Sequence, residues 1–136
     1  INKMIDEYVS ENSQKAVAFA SLGQLRYLSA IKFVDIVLGN SSSGLLEVPS
    51  FKKTTINIGD RQKGRARASS VIDVRPAKEE ILAAIKRAYS KEFEQTLKDT
   101  INPYDGGNPS KKMVKILKEI KLDGILKKKF YDIGIK

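Results

Sequence analysis

A chain of 136 residues with 41% apolar and 30% charged side chains has the composition of one globular domain. It contains no Cys and no His, which excludes disulfides, thiolate nucleophiles, Ser-His-Asp triads and zinc sites built on either residue. The formal net charge of +9 points to anionic partners, and no apolar run approaches the roughly 18 residues of a membrane helix.

The opening INKMIDEYVSEN is amphipathic and acidic, unlike a signal or transit peptide, and reads as the inside of a helix, as in a fragment. A helix is predicted over residues 2–12, where Met4, Ile5 and Tyr8 recur at helical spacing beside Val9. The apolar run AVAFA at 16–20 has turn-prone flanks and is predicted to be a buried strand. Residues 24–32 suit a helix, with Leu28 three before Ile31 and Tyr27 four before it. VDIVLG at 34–39 is a second strand closed by Gly39; after NSSSG at 40–44 comes a short helix carrying Leu45, Leu46 and Val48. TTINIG at 54–59 and SSVIDV at 69–74 are further strands, β-branched and short. Residues 78–90 place Ile81, Leu82, Ile85, Ala88 and Tyr89 on one helical stripe. No element is predicted for 91–101. After a loop at 102–107, Asn108 and Pro109 read as N-cap and first residue of a last helix, with Met113, Ile116, Leu117 and Ile120 in its stripe.

Short apolar strands alternating with helices predict an α/β fold with a parallel sheet covered on both faces, part of a doubly wound domain. Ligands of such domains sit at the carboxyl ends of the strands, so loops 20–24, 39–44 and 59–68 are the candidates. In the second of these, Asn40, Ser41, Ser42, Ser43 and Gly44 lead into a helix. Amides and hydroxyls there suit a phosphate, and the same residues also suit a plain N-cap. In the third, Arg61 is placed to fork onto diphosphate oxygens. Glu47, six residues past Ser41, suits the hydroxyls of a ribose, or simply a solvated acidic position near a helix start. Arg61, Lys63, Arg65 and Arg67, with nine Lys in 110–136 against Glu119, Asp123 and Asp132, open a second reading as a basic nucleic-acid-binding module. That reading lacks an aromatic RNP-like pair or a recognition helix, so nucleic acid is not the expected partner. The third alternative is a ligand-free structural fragment.

The words SLGQLRYLSAIK, GNSSSGLLEVPSF and TINIGDRQKGR, in this order and spacing, resemble the hydrolysing UDP-N-acetylglucosamine 2-epimerases. The likeness continues through VIDV and NPYDGGNPSKKMVKIL to the KKKFYDI end, so it covers essentially the whole chain. It departs at DGGNP, where a GDGN-like pattern is commoner; GNSSSG in place of a GSGG-type loop favours the hydrolysing branch.

The resemblance implies two Rossmann-like domains arranged as in GT-B glycosyltransferases. Residues 1–136 would be a partial C-terminal nucleotide-binding domain missing its first strands, with 108–136 its C-terminal helical segment. It implies that Ser41 and Ser42 contact the diphosphate, Arg61 the phosphate side and Glu47 the ribose, with Asn40, Ser43 and Gly44 supporting the phosphate loop. Tyr27 would pack against uracil; the residues alone equally allow a core aromatic. The family's reaction eliminates UDP from UDP-N-acetylglucosamine, and water then adds to the glycal to give N-acetylmannosamine. Its acid and base belong to the first domain, so no catalytic residue is assigned, and the chain alone is expected to be inactive. The further expectations are a UDP-sugar substrate, the missing N-terminal domain and a homo-oligomer as partners, no metal or cofactor, no membrane, and a cytoplasmic location in keeping with the missing Cys.

Overall fold

The computed structural model describes residues 1–127 and 130. Two compact units divide the chain, Ile1–Tyr104 and Asp105–Lys136. In the first, helices α1 (Asn2–Glu11) and α2 (Gly23–Ile31) precede strand β1 (Ile36–Gly39). The one-turn helix α3 (Ser43–Leu46) and a 3-10 turn (Val48–Phe51) follow, then β2 (Thr54–Ile58), β3 (Val71–Val74), α4 (Lys78–Ala88) and α5 (Lys91–Asp99). The strands form one parallel sheet in the order β1-β2-β3, so the fold is α/β with three parallel strands, as the alternating pattern predicts.

The central strand explains the two covered faces. Successive side chains of a strand point to opposite sides. Thr55, 2% exposed, donates through its hydroxyl to the Gly44 carbonyl of α3 at 2.7 Å. Ile56, fully buried, joins Ile72, Ala84, Ala88 and Phe93 in the core cluster. Helix α3 thus lies against one face, and α4 with α5 against the other.

Helix α5, absent from the sequence reading, begins where the Ser90 side chain accepts a bond from the Phe93 amide at 3.2 Å, an N-cap that ties down one of the helix's orphan donors. It ends where the Lys52 ammonium donates to the Lys98 carbonyl at 3.0 Å and to the Thr100 carbonyl.

The buried strand predicted at 16–20 does not form. Those residues are in no strand; Val17 is 71% and Phe19 63% exposed. A strand needs a neighbour for its amides and carbonyls, and among the described residues none pairs with this run. The predicted strands at 34–39 and 69–74 both start two residues later, at Ile36 and Val71.

In the second unit, α6 (Pro109–Glu119) starts as predicted with Asn108 as N-cap and Pro109 as first residue. Asn108 makes no side-chain cap; its carbonyl accepts from the Lys111 and Lys112 amides. The stripe residues Met113, Ile116, Leu117 and Ile120 are exposed. Most of the KKKFYDI run, with Lys128, Lys129 and Lys136 of the basic tail, lies outside the described residues. No helix among the described residues is long and apolar enough to cross a membrane.

Candidate functional site

Parallel pairing brings the carboxyl ends of all three strands to one edge, with Gly39, Asn57 and Asp73 side by side. The loops leaving that edge are held by a chain of polar contacts. The Asn57 amide, on a residue only 1% exposed, donates to Asp73 Oδ1 at 2.6 Å. Arg67 Nε donates to Asp73 Oδ2 at 2.6 Å. The same guanidinium donates to the Arg65 carbonyl at 2.7 Å and the Gln62 carbonyl at 3.2 Å, so the 62–67 loop is wrapped around one side chain. Gln62, 3% exposed, then reaches across with Nε2 to the Asn40 carbonyl at 2.8 Å. That bond fastens the loop after β2 to the loop after β1.

Asn102 and Tyr104 close the assembly from the far end of the unit. Asn102 Nδ2 donates to the Leu46 carbonyl at 2.9 Å and to Ser50 Oγ at 2.7 Å. Its Oδ1 accepts from the Tyr104 amide, and the Tyr104 hydroxyl donates to the Ala66 carbonyl at 3.2 Å. The NPY run therefore clasps the end of α3 and the 59–68 loop together.

On this frame the predicted site residues fall in two groups. Ser41 and Asn40 are exposed beside a cleft of about 240 Å³ that Gly39 and Gly44 also line. Ser42, half-buried, is the N-cap of α3. Arg61 is exposed next to the Gln62 fastening and enters no ion pair among the described residues. These residues share one edge of the sheet. The second group is a hydrogen-bonded cluster: Ser43 Oγ lies 2.5 Å from Glu47 Oε2 and 2.6 Å from the Tyr27 hydroxyl. All three residues are half-buried, and Tyr27 stands outside the core cluster.

Two features differ from what residue types suggest. Helix α3 is four residues long, and its Gly44, Leu45 and Leu46 amides already bond to the Ser41 and Ser42 carbonyls. So short a helix sums few peptide dipoles, so its amides offer an anion less than the loop hydroxyls and the Arg61 guanidinium would. Arg67 is not an open cation, since Nε and both Nη atoms are engaged within the protein. The basic cluster available to a polyanion is smaller than the sequence suggests. Among the described residues, no three carboxylates are grouped as a metal site requires.

Of the residues that fasten the site, Gln62, Asp73, Asn102 and Tyr104 were not singled out from the sequence, and Arg67 stood there only as one of a cluster of cations. Their partners lie up to 56 residues away, beyond any local pattern.

The sequence matches the family described as UDP-N-acetylglucosamine 2-epimerase over residues 1–118. It is 46% identical over 134 residues, 98% of this chain, to a hydrolysing GDP/UDP-N,N'-diacetylbacillosamine 2-epimerase of Campylobacter jejuni, 34% of which is covered. It is 47% identical over 108 residues, 79% of this chain, to a polysialic acid biosynthesis protein of Escherichia coli, 28% of which is covered. It is 27% identical over 134 residues, 97% of this chain, to the UDP-N-acetylglucosamine 2-epimerase of Neisseria meningitidis, 35% of which is covered. The chain thus spans about a third of the length of these relatives.

Proposed function

The chain belongs to the UDP-N-acetylglucosamine 2-epimerase family, and from that premise we propose that it forms the nucleotide-holding part of such an enzyme. It would be part of the second domain of a GT-B-like pair, with UDP-N-acetylglucosamine as substrate. In this reading Ser41, Ser42 and Arg61 hold the diphosphate, Glu47 takes ribose hydroxyls and Tyr27 lies against the base.

The observation that carries it is the bond from Gln62 Nε2 to the Asn40 carbonyl. Hydroxyls and a guanidinium on separate loops recognise one diphosphate only if the loops keep a fixed spacing. A buried amide spanning 22 positions of sequence supplies that spacing. The chemistry these residues contribute is electrostatic: departure of a nucleoside diphosphate leaves negative charge on phosphate oxygens, which an arginine fork and hydroxyl donors stabilise. Removal of the C2 proton is assigned to no residue of this chain. The nucleic-acid reading loses weight because Arg67, one of its four clustered cations, is committed to Asp73 and two carbonyls.

The test is UDP binding by calorimetry in the intact protein. Arg61→Ala is expected to weaken it by about 1.5–3 kcal/mol, the range for a hydrogen bond to a charged group. Unchanged affinity would remove Arg61 from the site.

A further inference from the structure

Glu47 and Tyr27 come from different helical segments, yet one hydroxyl joins them. Ser43 opens α3, Glu47 is its C-cap, and Tyr27 lies 16 positions before Ser43 on α2. An ionised carboxylate only accepts, so Ser43 Oγ, 2.5 Å away, must donate its single proton to Glu47 Oε2. With that proton committed, Ser43 accepts from the Tyr27 hydroxyl at 2.6 Å. The order of donors is therefore fixed: phenol to serine to carboxylate. Glu47 Oε2 is occupied, and Oε1 has no hydrogen bond among the described residues.

We propose that Ser43 is a positioning residue for nucleoside recognition: it orients the Glu47 carboxylate so that Oε1 meets the ribose, and it holds Tyr27 beside the base. The inference rests on the reading of Glu47 and Tyr27 given above and deepens it. In that reading the diphosphate is held by Ser41, Ser42 and Arg61; Ser41 Oγ accepts from the Ser43 backbone amide at 3.4 Å, a bond that does not use the Ser43 hydroxyl. The Ser43 hydroxyl itself faces Tyr27 and Glu47, so removing it acts on the nucleoside half alone.

The experiment compares UDP, 2'-deoxy-UDP and inorganic pyrophosphate by calorimetry in the intact protein and five variants, one of them a double substitution. Ser43→Ala is expected to weaken UDP about tenfold, the size of losing a hydrogen bond to a charged group, and to narrow the preference for UDP over 2'-deoxy-UDP. Pyrophosphate affinity should stay within about twofold, the scatter among context-dependent small effects. Ser43→Thr, which keeps the hydroxyl, should restore UDP binding. Tyr27→Phe should weaken UDP less, and add little to Ser43→Ala in the double variant, because both cut one chain of bonds. Unchanged UDP affinity in Ser43→Ala, or equal losses for UDP and pyrophosphate, overturns the proposal. Glu47→Gln separates the two levels of inference. If it leaves UDP affinity intact, the ribose reading itself fails; if it weakens UDP while Ser43→Ala does not, only the positioning role falls. Should Ser43→Ala not fold, Ser43→Cys, a similar volume with a weak donor, carries the same comparison.

Discussion

Residues 36–104 and residues 1–35 carry apolar patterning of similar quality, and it comes to different ends. In the first stretch Ile56, Leu45 and Val48 are fully buried, and Ile72, Ala84, Ala88 and Phe93 nearly so. In the second, α1 buries nothing; Met4, Tyr8, Val17 and Phe19 are each more than 60% exposed, and Ile31 alone among the large apolar side chains reaches full burial. A helical or strand period shows which side of a segment is apolar. It does not show whether another element meets that side. Burial comes from the pairing of β2 with both neighbours, which gives each of its faces a helix to pack against.

The largest expected effect tests this contrast directly. Ile56→Ala should cost about 2–5 kcal/mol of unfolding free energy, the range for truncating a fully buried aliphatic side chain. Phe19→Ser should change stability by no more than about 0.5 kcal/mol, as surface substitutions do. Denaturant melts of the two variants are the measurement. A loss at Phe19 approaching that at Ile56 would break the contrast and show the 16–20 run packed after all.

The same contrast marks what was legible in the sequence. The segments read as strands at 34–39, 54–59 and 69–74 are strands because their β-branched residues sit in a sheet that exists. AVAFA is as apolar but holds one β-branched residue among three Ala and a Phe, and no strand among the described residues pairs with it. Helix α5 carried its signals, a capping Ser90 and Phe93 four before Leu97, but the stretch was not read as an element. At the site, residue chemistry identified the 39–44 and 59–68 loops, which the structure puts at one sheet edge. What holds them could not be read, because the Gln62, Asn102 and Tyr104 bonds cross 22 to 56 positions of chain. Such contacts follow from topology and leave no local periodicity.

A middle-sized effect probes how tightly residues 36–104 are packed. A Cβ on Gly44 would stand 2.7 Å from Thr55 Cγ2. Thr55 has no room to turn, being 2% exposed and bonded through Oγ1 to the Gly44 carbonyl. Gly44→Ala should therefore destabilise by about 1–3 kcal/mol, as overpacking does, and should shift α3 with its site residues. Thermal melting checks the first consequence and UDP calorimetry the second. A variant as stable as the parent would mean that α3 lies more loosely on β2 than the core side does.

The smallest effect sits at the surface of residues 36–104, where α4 begins. Ala77 at its N-cap offers no side-chain bond. Glu80 in the first turn reaches back beyond that position, accepting from the Arg75 amide at 2.9 Å and from Arg75 Nε at 2.5 Å. The Arg75 side-chain bond, helped by the backbone bond, holds the Glu80 carboxyl below the usual carboxylate range. A carboxyl whose pKa is lower folded than unfolded contributes stability above its unfolded pKa, and loses it as pH falls through the lower folded value. The contribution is thus present at neutral pH and disappears on acidification. Glu80→Gln keeps an acceptor for the amide but cannot titrate. Its stability should fall less steeply than the parent's between pH 5 and pH 3, a window set by the ordinary carboxylate pKa of about 4.3 and the lowered folded value. Arg75 is 85% exposed, so added salt should shrink the difference between the two proteins. Urea melts across that pH range provide the comparison, and parallel lines for the two proteins would show that Arg75 does not hold Glu80 in solution.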